Sequence, residues 1–345
     1  MISFLFKIFI WKMALSLGVL SFLPLSAFPL NNRVVQSSEQ RGGDLRQEAE
    51  TKKSLPLSQR KVDLAPRRQP ETEFNLKLSA RSFLVLDEAS ELPLVSQEAD
   101  TVRPVGSITK LLTVLVFLKN QPDWDKEMII EAQDGREGRL FLNEGDRVRV
   151  YDLFYATLVG SSNNAAMALA RSTGLSLEDF VFKMNEEASA LGFKNTQVVE
   201  PTGLNSQNRS TTKEVALLLK AALREPLIKK ATTAKSYMLT VIDADGQSVK
   251  KEIRATNLLL VSNLTDSPIA GIEGGKTGFI DEAGHSVAVE VKNAAGRKLV
   301  VVVLGATSNE GRFNEARALA DWTYESYLWP GDTGYGVAAV PETEN

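Results

Sequence analysis

Apolar residues along this chain alternate with a strand period at both ends of a central region and repeat with a helical period between them. Over residues 74–100 the runs Ser82-Phe83-Leu84-Val85-Leu86 and Leu92-Pro93-Leu94-Val95 flank the polar turn Asp87-Glu88-Ala89-Ser90-Glu91, which predicts a β-hairpin. An extended approach, Pro104-Val105-Gly106, then leads into an apolar helical run that starts at Ser107 and continues to about Leu118. Residues 135–149 are rich in glycine and charge and predict loop and hairpin. Helical spacing returns at Tyr151, pauses at Gly160-Ser161-Ser162-Asn163-Asn164 and resumes through Ala170. It recurs over 177–191, with Gly192 as a stop signal, and over 211–223, with Pro226 beyond. Strand patterns follow at 237–242, 248–251, 272–279, 287–291 and 299–304, and an amphipathic helix over 313–327 closes the region. This order predicts an α+β domain over 74–329 built on a mostly antiparallel sheet that draws strands from both ends of the segment.

The flanks have no such periodicity. Residues 1–30 begin with Phe and Ile interrupted by Lys7 and Lys12 and then run uncharged from residue 13, which predicts an export signal or an N-terminal membrane anchor. Ser26-Ala27 offers a small-residue cleavage point, although Leu25 is bulky for one, and Pro24 and Pro29 oppose a full spanning helix. Residues 31–73 mix both charge signs with Gln, Ser and Pro and read as a flexible tether, with a reach of roughly 35–40 Å. Residues 330–345 lack an apolar face and read as a short tail.

Composition narrows the chemistry. A formal net charge of −3 without a basic stripe gives no reason to expect nucleic acid. The absence of cysteine removes thiol nucleophiles, disulfides and thiolate metal sites. With His285 as the single histidine, a Ser-His-Asp triad must use that residue, and a His-rich zinc site is excluded. No metal or cofactor is expected, and a serine enzyme with this composition would more readily take its base from lysine.

Ser-x-x-Lys occurs at Ser58, Ser107, Ser210 and Ser248, so context must choose among them. Only Ser107 combines an apolar helix with a constrained entry, at a helix start where unpaired backbone N–H groups favour developing negative charge and Lys110 shares its face. Ser-x-Asn likewise recurs, but Ser161-Ser162-Asn163 alone interrupts two apolar helical stretches, where polar groups need partners. Lys276-Thr277-Gly278 lies in an apolar strand pattern. The three stand in order, 54 residues from Ser107 to Ser161 and 115 from Ser161 to Lys276.

In that order and context the sequence resembles the low-molecular-mass penicillin-binding proteins, the D-alanyl-D-alanine carboxypeptidases of serine peptidase family S11. The resemblance is carried by Gly106-Ser-Ile-Thr-Lys-Leu-Leu-Thr113, Leu158-Val-Gly-Ser-Ser-Asn-Asn-Ala165, Phe182-Lys-Met-Asn185, Ala190-Leu-Gly192, Pro201-Thr-Gly-Leu204, Thr256-Asn-Leu-Leu259 and Gly275-Lys-Thr-Gly278 with Glu282-Ala-Gly284. It implies a β-lactamase/transpeptidase-like fold with a helical subdomain and an acyl-enzyme mechanism on peptidoglycan stem peptides. Ser107 would be the nucleophile, Lys110 the base, Ser161 the relay to the leaving amine and Asn163 the group that orients Lys110 and the substrate amide. Burial and the neighbouring charge of Lys276 would lower the Lys110 pKa, Thr277 would bind the terminal carboxylate, and Gly278 would let the substrate backbone approach. The N–H groups of Ser107 and Phe279 would form the oxyanion hole, and Arg312 would stand near the carboxylate. His285 would be structural.

The same resemblance implies removal of the terminal D-alanine, an extension to D,D-endopeptidase cleavage, inhibition by β-lactam antibiotics and an extracytoplasmic location. Many members carry a further β-domain and an amphipathic anchor; the residues after Tyr327 are too few for either, so membrane contact is expected only through the N-terminal segment. Glu200 stands where the family usually has Asn, and Glu200-Pro201-Thr202-Gly203-Leu204-Asn205 is similar to the water-activating loop of class A β-lactamases. A β-lactamase or related serine hydrolase is therefore the alternative enzyme. A non-catalytic wall-binding module is the alternative from another class, with eroded motifs as its expected mark.

Overall fold

The computed structural model describes residues 65–335 apart from residue 136. The expected signal or anchor, the tether as far as residue 64 and the tail from residue 336 lie outside the described residues.

The chain first forms β1 (Ser82–Asp87) and β2 (Pro93–Gln97), then a 3-10 turn (Gly106–Thr109) that runs into α1 (Lys110–Lys119). Next come β3 (Glu127–Ile129), β4 (Arg147–Arg149), α2 (Val150–Leu158), α3 (Asn163–Ser172), α4 (Leu177–Ala190), α5 (Thr212–Leu223) and α6 (Pro226–Thr233). The last part is β5 (Ser236–Ile242), β6 (Ser248–Arg254), β7 (Ile269–Ile280), β8 (Gly284–Asn293), β9 (Lys298–Ala306) and α7 (Asn309–Ser326).

The main sheet has the order β7-β8-β9-β1-β2 and is antiparallel throughout, so strands from both ends of the domain meet at β9 and β1 as the pattern predicts. These two strands are apolar at almost every position because both faces are covered. Alternation of side chains then sends Leu84, Leu86, Val300 and Val302 into a core shared with α1 and α5. Phe83, Val85, Val301 and Val303 enter a second core under α7. Residues Lys110 through Phe117 of α1 are all buried, which fits a helix apolar on every side. Lys110 and Thr113 are the polar residues in that run, and Lys110 is the charged one, at the first turn of the helix.

A smaller antiparallel sheet, β3-β4-β5-β6, accounts for the loop-and-hairpin region. Pro226, expected only as a stop signal, is the first residue of α6: its missing N–H would be unpaired at a helix start in any case. The folded part also reaches past 74–329. Arg67–Arg68 pairs antiparallel with Tyr327–Leu328, Tyr335 Oη donates to the Ala65 carbonyl, and Asp332 pairs with Arg297. These contacts are backbone pairing and ion pairs, which no hydrophobic period announces. No helix among the described residues is long and apolar enough to cross a membrane.

Candidate active site

Three segments distant in sequence converge where the 3-10 turn before α1 meets the edge strand β7. Gly106 has φ +54, and a Cβ there would stand 2.7 Å from the Phe279 nitrogen, so the turn can press against β7 only with glycine. At Gly278 a Cβ would stand 2.2 Å from the Val105 carbonyl oxygen, which closes the same contact from the other side. Ser107 is thereby held beside the strand that carries Lys276-Thr277-Gly278.

Lys110 Nζ lies 2.9 Å from Ser107 Oγ, 2.7 Å from Asn163 Oδ1 and 2.6 Å from the Thr202 carbonyl oxygen. The break between α2 and α3 brings Asn163 there. Ser162 caps α3 by accepting from the Ala165 N–H, and Ser161 takes φ +59, a conformation that non-glycine residues adopt under constraint. That turn aims Ser161 Oγ at Lys276 Nζ, 2.7 Å away. Thr277 Oγ1 donates to Thr256 Oγ1 at 2.7 Å.

Burial governs the electrostatics. Lys110 and Lys276 are 0 % and 1 % exposed. Burial brings the Lys110 pKa from its ordinary 10.5 down to about 7, with Glu200 pulling the other way. Burial also holds Lys276 well below the ordinary lysine range, reinforced by the charges of Lys110, Arg312 and Arg139. Of the two causes expected for a lowered Lys110 pKa, burial is the one that dominates, and the mutual repulsion of the two lysine charges adds to the depression of Lys276. Arg312, buried in the opening turn of α7, falls to about 10, through burial first and then the charge of Arg139.

All nine residues expected at the site come together. Ser107, Ser161, Asn163, Thr277, Gly278, Phe279 and Arg312 line a cleft of about 350 Å³, and the two lysines lie beneath it. Gly138, Arg139, Leu204 and Thr256 also line it and had no assigned role. Thr256 opens a quoted motif and was open to discovery; Gly138 and Arg139 lie in a loop without periodicity. His285 stacks on Phe279 with ring centroids 4.3 Å apart and, among the described residues, bonds to no serine, so no Ser-His-Asp triad forms. Among the same residues no cluster of His, Asp and Glu is placed to hold a metal.

Glu200 does not turn toward the nucleophile. Its Oε2 accepts from the N–H and hydroxyl of Thr202, and its Oε1 accepts from the N–H groups of Gly203 and Asn205 and from Asn208 Nδ2. The carboxylate is spent on its own loop, the loop that presents the Thr202 carbonyl to Lys110. The similarity of this loop to a water-activating one does not extend to its geometry.

Residues 68–308 match the family model for D-alanyl-D-alanine carboxypeptidase, serine peptidase family S11. The chain belongs to the S11 family. Among its S11 relatives, the D-alanyl-D-alanine endopeptidase of Pseudomonas aeruginosa is 32% identical over 250 residues, covering 71% of this chain and 77% of the relative. The D-alanyl-D-alanine carboxypeptidase DacC of Escherichia coli K12 is 30% identical over 72% of this chain and 62% of its own. The crystal structure of the Streptomyces K15 DD-transpeptidase superposes with a TM-score of 0.67 over 73% of this chain and 100% of that one, and at 24% identity it speaks for the fold alone. Penicillin-binding protein D2 of Listeria monocytogenes, in its cefotaxime-bound form, superposes with a TM-score of 0.63 at 29% identity, over 72% and 99% of the two chains. The α+β, β-lactamase/transpeptidase-like fold expected of an S11 peptidase is the fold observed.

Proposed function

We propose that this S11 peptidase is a serine D,D-carboxypeptidase that removes the terminal D-alanine from peptidoglycan stem peptides and also opens D-alanyl cross-links as a D,D-endopeptidase. The observation that carries the reading is a fully buried Lys110 amine 2.9 Å from Ser107 Oγ with its pKa lowered to about 7, an amine able to accept a proton at neutral pH. Ser107 Oγ attacks the carbonyl carbon of the penultimate D-alanine, and its proton passes to Lys110. The oxyanion is met by the N–H groups of Ser107 and Phe279. As the C–N bond breaks, Ser161, bonded to Lys276, relays the proton from Lys110 to the leaving amine, so that Lys110 is neutral again in the acyl-enzyme. Asn163 holds Lys110 in place, and Thr277 receives the substrate's terminal carboxylate.

Deacylation reverses the order, with water in place of the amine. Lys110 is the base for that water as well, because Glu200 is engaged by its own loop. The same groups accept a β-lactam carbonyl, so penicillins form the corresponding acyl-enzyme on Ser107. Work on cell-wall peptide places the domain outside the cytoplasm, with the N-terminal segment as export signal or anchor.

Labelled penicillin should acylate the purified protein and fail to acylate Ser107→Ala; labelling that survives the substitution refutes the assignment. Incubation with a pentapeptide and with cross-linked muropeptides, followed by mass analysis of the products, separates carboxypeptidase from endopeptidase turnover. Loss of D-alanine alone would remove the endopeptidase part of the reading.

A further inference from the structure

Arg312 reaches from the opening turn of α7, which Ser308 caps through the Gly311 N–H, across to the edge of the main sheet. The guanidinium is buried, with 6 % of the residue exposed. Its Nη1 donates to the Gly278 carbonyl at 2.9 Å and to the Ser286 carbonyl at 3.2 Å, and its Nη2 donates to Asn309 Oδ1. Gly278 and Ser286 stand opposite each other in the β7–β8 register. Arg312 therefore grips the strand pair at the residue that touches the Ser107 turn.

The carbonyl it grips belongs to the same trans peptide as the Phe279 N–H, and the two ends of a trans peptide point in opposite directions. The Phe279 nitrogen is also the atom that crowds Gly106: a Cβ on Gly106 would come within 2.7 Å of it. One end of this peptide is thus held by a buried cation while the other faces the segment carrying the nucleophile. A peptide that follows glycine has more freedom to rotate than any other, and β7 is restrained by β8 on one side only, with no strand beyond it on the other.

We propose that Arg312 is a positioning residue for the oxyanion hole: by binding the Gly278 carbonyl it fixes the Gly278–Phe279 peptide and polarises the Phe279 N–H toward the developing oxyanion. A charged donor on a carbonyl makes a stronger hydrogen bond than a neutral one, and polarisation passes through the amide to the N–H at its other end. This role rests on the acyl-enzyme reading above and adds to any contact with substrate carboxylate.

The test compares wild type with Arg312→Met and Arg312→Lys on two thioester donors that share an acyl group, one with a carboxylate on its leaving group and one with the corresponding neutral amide. Removing a whole oxyanion donor costs about 10²–10³ in rate, so loosening one should cost roughly 10- to 100-fold. That loss is expected in kcat for both donors in Arg312→Met, with KM for the neutral donor nearly unchanged. The acyl carbonyl stretch of the enzyme acylated by carbonyl-labelled penicillin should move to higher wavenumber, and Arg312→Lys should fall between wild type and Arg312→Met on both measures. Arg312→Lys alone carries the comparison if Arg312→Met does not fold. Slowing confined to the carboxylate donor, expressed in KM with the carbonyl stretch unmoved, would overturn the proposal and leave Arg312 a substrate anchor. A wild-type protein that forms no acyl-enzyme would overturn the acyl-enzyme reading along with it.

Discussion

The pH dependence of acylation tests the base most directly. Lys110 can take the Ser107 proton only in its neutral form, so the second-order rate of acylation by penicillin should follow its unprotonated fraction and rise with pH. With the pKa brought down to about 7, roughly one tenth of the protein holds a neutral Lys110 at pH 6 and roughly nine tenths at pH 8. An ordinary lysine with a pKa of 10.5 would be neutral in about 0.3% of molecules at pH 8, so burial enlarges the reactive population there about 300-fold. Stopped-flow acylation between pH 5 and pH 9 should show a tenfold rise per pH unit at the acid end and a plateau above about pH 8. Lys276 is coupled to Lys110, so the midpoint belongs to the pair and its acid limb reports their first shared proton. A flat profile through this range, or a rate still climbing tenfold per unit at pH 9, would refute Lys110 as a base primed by burial.

Three further outcomes follow from the geometry. The folded state gives up the Lys110 proton near pH 7 while the unfolded chain keeps it to about 10.5; between these values the unfolded state binds more protons, so stability gains with rising pH. Urea unfolding should show wild type gaining up to about 4 kcal/mol relative to Lys110→Met from pH 6 to pH 10, and parallel curves would mean that the ammonium is not desolvated. Glu200→Ala removes the acceptor for five donors of the 200–208 loop and should lower stability by roughly 2–4 kcal/mol and slow acylation. Normal acylation with a long-lived acyl-enzyme would instead assign Glu200 to the deacylating water. Gly278→Ala sets a Cβ 2.2 Å from the Val105 carbonyl, so penicillin labelling should fall by at least about tenfold with the fold retained; wild-type labelling would show that the turn and β7 are not pressed together.

The parts of the site open to sequence reading are those set by local geometry. Ser107 and Lys110 are three residues apart, and the start of a helix puts them in contact without help from the rest of the fold. The order of strand and helix patterns likewise predicted one sheet that draws strands, among them residues 82–86 and 299–304, from both ends of the domain. Their register and the split of their side chains between two cores depended on which helices cover each face.

Glu200 shows where such reading stops. Its neighbours made it similar to a water-activating carboxylate, and only the positions of five donors show that it is engaged by its own loop. The Lys110 pKa is open to sequence reading only in outline for the same reason. Burial and a second lysine were both expected causes, but how far the amine loses its water belongs to the whole packed environment. Arg139 carried no signal in its own segment, yet in the folded cleft its charge acts on Lys276 and Arg312.

The sequence by itself determined the reactive groups, the contact between Ser107 and Lys110, and the exclusion of thiol chemistry and of thiolate or His-rich metal sites, because these rest on residue identity and on short-range chain geometry. Tertiary structure decided that Asn163 and Lys276 meet this pair, that Glu200 faces its loop, that Arg312 holds the peptide behind Phe279 and that Lys110 is dry enough to lose its proton. Those outcomes depend on desolvation and on contacts between residues 50 to more than 100 positions apart, and a linear pattern does not encode either one.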